Sequence, residues 1–276
     1  MNLNSTVTLH NGVHMPQFGL GVYKMEDGNE TAQAVKNAID LGYRHIDTAS
    51  VYKNEEGVGQ GIKDSGVPRE EIFVTSKVWN DEQGYESTIE AFNNSLKRLD
   101  LEYLDLYLVH WPVPGKYKET WKALEQLYKD GKVKAIGVSN FLVHHLDDLL
   151  EDVEIKPMIN QIELHPELAQ TELRNYCAQH NIHVTAWSPL ARGKYFEAPV
   201  LQSIAEKYGK TPAQVILRWD LQHGIITIPK STNKDRQKQN ADLFDFELTA
   251  EELARIDELD KGEEGRNGPH PDEFDY

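Results

Sequence analysis

The sequence predicts a (β/α)8 TIM barrel with an N-terminal β-hairpin and two additional helices. Three observations carry that expectation. Eight short runs rich in β-branched and aliphatic residues recur along the 276 residues, patterns of helical period separate them, and short polar joints connect them. Near-continuous apolar runs suit strands covered on both faces. Alternation of such strands with helices implies right-handed βαβ units, and eight of these close into a barrel, with an open doubly wound sheet as the alternative. No Gly/Ser/Pro-rich linker or low-complexity segment divides the chain, so residues 1–276 are expected to form one domain.

In chain order, TVTLHNGVHMP comes first, with Asn11-Gly12 between two apolar stretches. That dipeptide is the signal for a hairpin with a type I′ turn, placed to plug the bottom of the barrel. The strand runs are FGLGV (18–22), HIDTA (45–49), FVTSKV (73–78), LDLYLVH (104–110), AIGVSN (135–140), INQIE (159–163), HVTAW (183–187) and IITIP (225–229). Ile89, Phe92, Leu96 and Leu99 repeat at helical spacing, as do Trp121, Leu124, Leu127 and Tyr128, with Gly131 placed to end the second helix. Two helices fit between the seventh and eighth strands, at 200–208 and 212–222, the latter opened by Thr211, Pro212 and Gln214 as N-cap, first-turn proline and capping-box partner. TAEE at 249–252 is a second capping box.

Composition narrows the function classes. Lys and Arg number 29 against 45 Asp and Glu, a net charge of −16, whose field repels nucleic acid and anionic membrane. Cys177, the single cysteine, permits no intrachain disulfide and reads as a small hydrophobe in a helix. The N-terminus has neither the basic nor the apolar region of a signal peptide, and no apolar run is long enough to span a bilayer. A cytosolic protein is expected.

Asp47, Lys77 and His110 fall at the C-terminal ends of three consecutive strand runs, and Tyr52 lies in the loop after the first of them. Each has an ordinary explanation alone: a turn former, a solvated rim lysine, a core histidine, a packing aromatic. Together, on neighbouring staves of a barrel, they point to the rim where barrel enzymes do their chemistry. A phenol titrates near 10, too high for an efficient proton donor at neutral pH, and a close ammonium lowers it. Lys77 is placed to supply that charge, Asp47 to balance a lysine withdrawn from water, and His110 to point a donor at a substrate oxygen. Such a set polarises a carbonyl and protonates the alkoxide that forms.

KSTNKDRQK, at 230–238, sets four cations against one acid in an acidic chain, directly after the eighth strand run. Barrels often bind phosphate there, at the N-terminus of an added helix. No G-x-G-x-x-G follows a strand, which disfavours a Rossmann reading. His144-His145 precedes Asp147-Asp148, but adjacent helical side chains point about 100° apart, so solvent exposure and no metal site are expected.

HIDTASVYKNEEGVG, TSKVW, YLVHWP, GVSNF, NQIELHP, AWSPLARG and IPKS, in this order, resemble the motifs of the aldo-keto reductases over nearly the whole chain. Within that family the likeness is to the bacterial glyoxal and methylglyoxal reductases. The resemblance implies a catalytic tetrad at Asp47, Tyr52, Lys77 and His110, with Tyr52 as general acid. It further implies NADP(H) across the barrel mouth, its nicotinamide stacked on Trp187 and its carboxamide held by Ser139, Asn140 and Gln161. Val22, Tyr23, Ser188 and Leu190 would complete that part of the cofactor site. Lys230, Ser231 and Arg236 would take the 2′-phosphate, with Thr232, Asn233, Gln239 and Asn240 beside them. Tyr23 stands where many members carry Trp, Trp187 where animal members carry Tyr, and Gln239 where an acid often faces the adenine. Tyr23, Trp79, His110 and Trp111 would wall the substrate pocket, and the short polar tail GEEGRNGPHPDEFDY would leave it open to small aldehydes and dicarbonyls. The expected activity is NADPH-dependent reduction of such carbonyls by a monomer with no nucleic-acid or membrane partner. A nucleotide-sensing barrel with little turnover is the alternative, and a hydrolase with paired carboxylates fails because Asp47 is the only strand-end acid with suitable neighbours.

Overall fold

In the computed structural model, which describes residues 1–276, the chain begins as an antiparallel hairpin of β1 (Thr6–Thr8) and β2 (His14–Pro16). Eight parallel strands follow: β3 (Leu20–Gly21), β4 (His45–Asp47), β5 (Phe73–Val78), β6 (Leu104–Val109), β7 (Val133–Ser139), β8 (Ile159–Glu163), β9 (His183–Trp187) and β10 (Ile226–Thr227). Each pairs with its sequence neighbour, and a parallel bridge from Phe18 to Thr227 joins the first to the last. This is the closed barrel of the sequence reading, with one hydrophobic cluster of 61 buried residues.

The helices between strands are α1 (Asn29–Asp40), α2 (Glu55–Ser65), α3 (Tyr85–Leu99), α4 (Tyr117–Lys129), α5 (Val143–Leu150), α6 (Thr171–Gln179), α7 (Pro199–Tyr208) and α8 (Pro212–Gln222). The pair α7 and α8 fills the long seventh connection as expected, with Thr211 accepting from Gln214 N in the predicted capping box. Beyond β10 come α9 (Lys234–Ala241) and α10 (Ala250–Asp257), the latter opened by the Thr249–Glu252 box. Cys177 lies buried in α6. On α3 the fully buried stripe is Thr88, Ala91, Phe92, Ser95 and Leu99, while Ile89 and Leu96 are half-buried, because small side chains let α3 approach its neighbours closely.

The hairpin differs from expectation in its turn. Thr8 faces His14, so the connection is five residues rather than two. Gly12 alone has positive φ, at 89°, whereas a type I′ turn needs it at both central residues. Asn11 instead spends its side chain on the barrel, donating to Lys134 O at 2.9 Å and accepting from Val13 N at 3.2 Å. His10 bonds to Lys156 O and His183 to Thr8 O, so the hairpin is tied to the N-terminal ends of the staves and closes the bottom.

No helix is long and apolar enough to cross a membrane.

Candidate active site

Strand pairing explains how three sequence-distant residues meet. Asp47 is paired with Thr75, and Lys77 with Leu108. Lys77 therefore stands two residues further up its strand than Asp47's partner, and His110 two further than Leu108. A step of two preserves the side-chain face, so the stagger of the barrel carries all three inward as it climbs to the C-terminal rim. A cavity of about 670 Å³, lined by Thr6, His14, Arg44, Asp105 and Lys134 among others, lies under the hairpin at the opposite end.

Lys77 is fully buried, and all three ammonium hydrogens have acceptors: Asp47 Oδ1 at 2.6 Å, Thr48 O at 2.9 Å and Tyr52 OH at 3.3 Å. Asp47 Oδ2 accepts from Gln161 Nε2 at 2.7 Å, so the carboxylate is held from two sides. Because the Tyr52 oxygen accepts from Lys77, its own proton is left for a group in the mouth. Tyr52 is carried by a short 3₁₀ turn, Ser50–Tyr52, which ends in Lys53 at a left-handed φ of 54°. The loop below is fixed by Asn54, which donates to Val22 O and Met25 O and accepts from Thr48.

Burial raises the Tyr52 phenol; Lys77 pulls it down but does not overcome burial, so the phenol stays above its ordinary value. The expectation that Lys77 would acidify Tyr52 below that value is therefore corrected. Burial also works against the Lys77 ammonium, yet the Asp47 carboxylate above all holds it above the usual lysine value. His110 is driven well below the usual histidine range by burial, then by Lys77. At neutral pH the site thus holds a protonated phenol, an ammonium and a neutral imidazole whose Nδ1 has no partner.

The predicted carboxamide residues form one network beside this centre. Ser139 Oγ donates to Gln161 O at 2.7 Å, and Asn140 Nδ2 donates to His110 O at 3.0 Å. Trp187 Nε1 donates to Asn140 Oδ1 at 2.8 Å, which fixes the half-buried indole. Asn140 and Ser188 adopt left-handed φ of 64° and 50°. Val22 is buried and Leu190 half-buried. Tyr23 is exposed, its ring 5.1 Å from that of Tyr52.

The basic stretch begins at exposed Lys230 and runs into α9. Asn233 caps the helix by accepting from Arg236 N at 2.9 Å, and Asn233 N donates to the buried Ser231 Oγ. Thr232, Arg236 and Gln239 are exposed, and Asn240 is buried. None of Lys230, Lys234, Arg236 and Lys238 is in an ion pair, in a chain whose other cations make many.

Sequence reasoning missed the tail. Buried Glu163, at the end of β8, accepts Asn267 N at 2.7 Å and Gly268 N at 2.8 Å, and contacts His165 Nε2 at 3.1 Å. Burial pushes this carboxyl up, but those hydrogen bonds outweigh it and hold it below its ordinary value. A Cβ on Gly268 would lie 2.4 Å from the Trp187 ring, so only glycine lets the backbone pass there. Phe274 then stacks on Trp111 at 4.4 Å and meets Trp79 edge-on at 6.3 Å. The pocket is not left open: the tail crosses the mouth and supplies an aromatic wall. Nor do the two histidines diverge, although His144 is exposed as expected. Their rings lie 3.9 Å apart, His145 is buried, and both reach Asp272 in the tail. Phe274, one of two aromatics in an otherwise polar end, was the available signal.

Residues 17–261 match the model of the aldo/keto reductase family. The chain belongs to that family. It is 64% identical over 273 residues to a glyoxal reductase of Bacillus subtilis (strain 168), covering 99% of this chain and 98% of that one. It is 47% identical over 274 residues to methylglyoxal reductase DkgA of Escherichia coli (strain K12), covering 98% of each. Among solved structures it resembles a Gox0644 mutant in complex with NADPH, with a TM-score of 0.94 and 47% identity over 99% of both chains.

Proposed function

We propose that the protein reduces small aldehydes and dicarbonyls, glyoxal and methylglyoxal among them, to alcohols with NADPH, acting as a monomeric cytosolic enzyme built as one barrel domain. The observation that carries this is the buried Asp47–Lys77–Tyr52 chain, which leaves one phenolic proton facing the mouth. The names of the relatives and the NADPH-bound neighbour support the substrate class and the cofactor.

The residues present fit the cofactor. Trp187 offers a half-exposed indole locked by Asn140, and three unpaired cations, Lys230, Lys234 and Arg236, lie before or in the first turn of α9. Trp187 would stack on the nicotinamide, with Ser139, Asn140 and Gln161 at its carboxamide. Lys230, Ser231, Thr232, Asn233 and Arg236 would hold the 2′-phosphate, where backbone N–H groups and cations favour an anion. Val22, Tyr23, Ser188, Leu190, Gln239 and Asn240 would line the remainder. When bound, NADPH supplies the hydride that the carbonyl carbon accepts.

Tyr52 gives its proton to the carbonyl oxygen as that oxygen gains charge. Lys77 donates to the phenol oxygen throughout and stabilises the phenolate left behind. Asp47 keeps Lys77 charged, and Gln161 keeps Asp47 in place. Neutral His110 offers a hydrogen-bond donor to the substrate oxygen and, lacking charge, does not compete as the acid. Trp79, Trp111 and Tyr23 exclude water around the reacting carbonyl.

Turnover of methylglyoxal with NADPH and with NADH, for the wild type and Tyr52→Phe, tests this. Tyr52→Phe should lose about 100- to 10,000-fold in kcat and bind NADPH as the wild type does. A variant retaining most of the wild-type rate would remove Tyr52 from the acid role, and a wild type without turnover would remove the enzyme reading.

A further inference from the structure

We propose that Asp272, clasped by His144 and His145, is a positioning residue that sets Phe274 over Trp111 and so keeps bulky carbonyl substituents out of the mouth. The role in substrate choice rests on the reductase reading above; the clasp itself does not. His144 Nε2 lies 2.9 and 3.0 Å from the two carboxylate oxygens of Asp272, and His145 Nε2 lies 3.2 Å from Oδ1.

The direction of these bonds is set by the helix. Leu142 N donates to His145 Nδ1 at 3.0 Å, so that nitrogen carries the lone pair and Nε2 carries the hydrogen. The ring therefore donates to Asp272 and has no lone pair to offer a cation there. Burial, then the neighbouring His144, holds His145 down at about 4, so it stays a neutral donor at physiological pH. This gives a meaning to the histidine pair that the chemistry of the tetrad leaves unused.

The tail has few other holds. Glu163 fixes residues 267 and 268, after which Pro269 and Pro271 stiffen the short span to Asp272. Phe274 follows two residues later. Its ring lies nearly parallel to Trp111, with an interplanar angle of 20°, and covers a face of that indole that a substrate would otherwise use. Releasing Asp272 leaves Phe274 held by aromatic contacts alone and uncovers Trp111.

Two measurements on the full chain separate clasp from chemistry. Limited chymotrypsin digestion, which cuts after Phe274 when the tail lifts, should run about fivefold faster in Asp272→Ala and in His144→Ala, the factor expected from losing one ordinary net hydrogen bond at the surface. Asp272→Asn, which keeps an acceptor oxygen, should fall between. In steady state, Asp272→Ala should lower KM for a bulky aromatic aldehyde by about the same fivefold and leave kcat and KM for methylglyoxal within about twofold. Wild-type digestion rates in both alanine variants would overturn the clasp. Faster digestion with an unchanged ratio of the two KM values would overturn its role in substrate choice. A protein that turns over neither substrate yet shows the digestion difference would leave the clasp standing and remove the reductase reading.

Discussion

Replacing Lys77 with methionine tests whether its ammonium serves chemistry, folding or both. Lys77 and Asp47 are 0% and 2% exposed, and their 2.6 Å contact is a fully buried ion pair. Removing one partner of such a pair costs about 3–5 kcal/mol, because the other charge is left desolvated. Here Gln161 still donates to Asp47 Oδ2, so the lower end, about 3 kcal/mol, is expected. For a chain of this size that is a fall in melting temperature of about 6–12 °C. Neutralising the stranded acid as well, in Asp47→Asn/Lys77→Met, should restore most of the loss, since a buried pair is worth little relative to a neutral replacement. Turnover should not return in the double variant, because Tyr52 is then raised by burial with nothing opposing it. Thermal melts and NADPH oxidation with methylglyoxal decide the matter. Wild-type stability in Lys77→Met would refute the buried-pair argument, and turnover in the double variant near that of the wild type would refute the catalytic one.

Two further outcomes are expected. Arg236→Ala should weaken NADPH binding by about tenfold or more and change NADH binding less than about threefold, read by quenching of tryptophan fluorescence; equal weakening of both would withdraw the 2′-phosphate assignment. Asp220 in α8 is buried with Oδ1 unpartnered, and burial pushes its carboxyl well above the ordinary value. Its unfolded form ionises first, so stability falls as pH rises from about 4, and Asp220→Asn should raise the neutral-pH melting temperature by about 2–4 °C per kcal/mol recovered while changing little at pH 4. An unchanged melting temperature at pH 7 would show Asp220 to be ionised in the fold.

The strands were legible because both faces are covered: FVTSKV, INQIE and HVTAW appear in the structure with the limits read from the sequence. HIDTA is shorter as a strand because Thr48, whose N–H still donates to Thr75 O, turns its carbonyl to Lys77 and its hydroxyl to Asn54. That Asp47, Lys77, Tyr52 and His110 would meet was legible because polar residues at apolar strand ends stand out. The sign of the Tyr52 shift was not, since it depends on whether burial or Lys77 is stronger, and sequence gives neither depth nor distance. The tail was illegible for a different reason. Its hold depends on backbone amides bonding Glu163 and on a carboxylate received by two histidines that diverge at their Cβ atoms yet converge on a third group.

The seam of the barrel has a consequence for the order in which the molecule is made. β3 and β10 are two residues each, and the ring closes through Gly19 N to Thr227 O and Thr227 N to Gln17 O, both 3.0 Å, with the Gln17 side chain bonded to Leu221 O and Ile225 O. Every partner of the first strand's open edge is thus synthesised close to last. Until then the nascent chain is a curved open sheet with a bare edge, and the entropy of joining distant segments falls due in one late step. Thermal or mechanical opening of the native ring should begin along the same line.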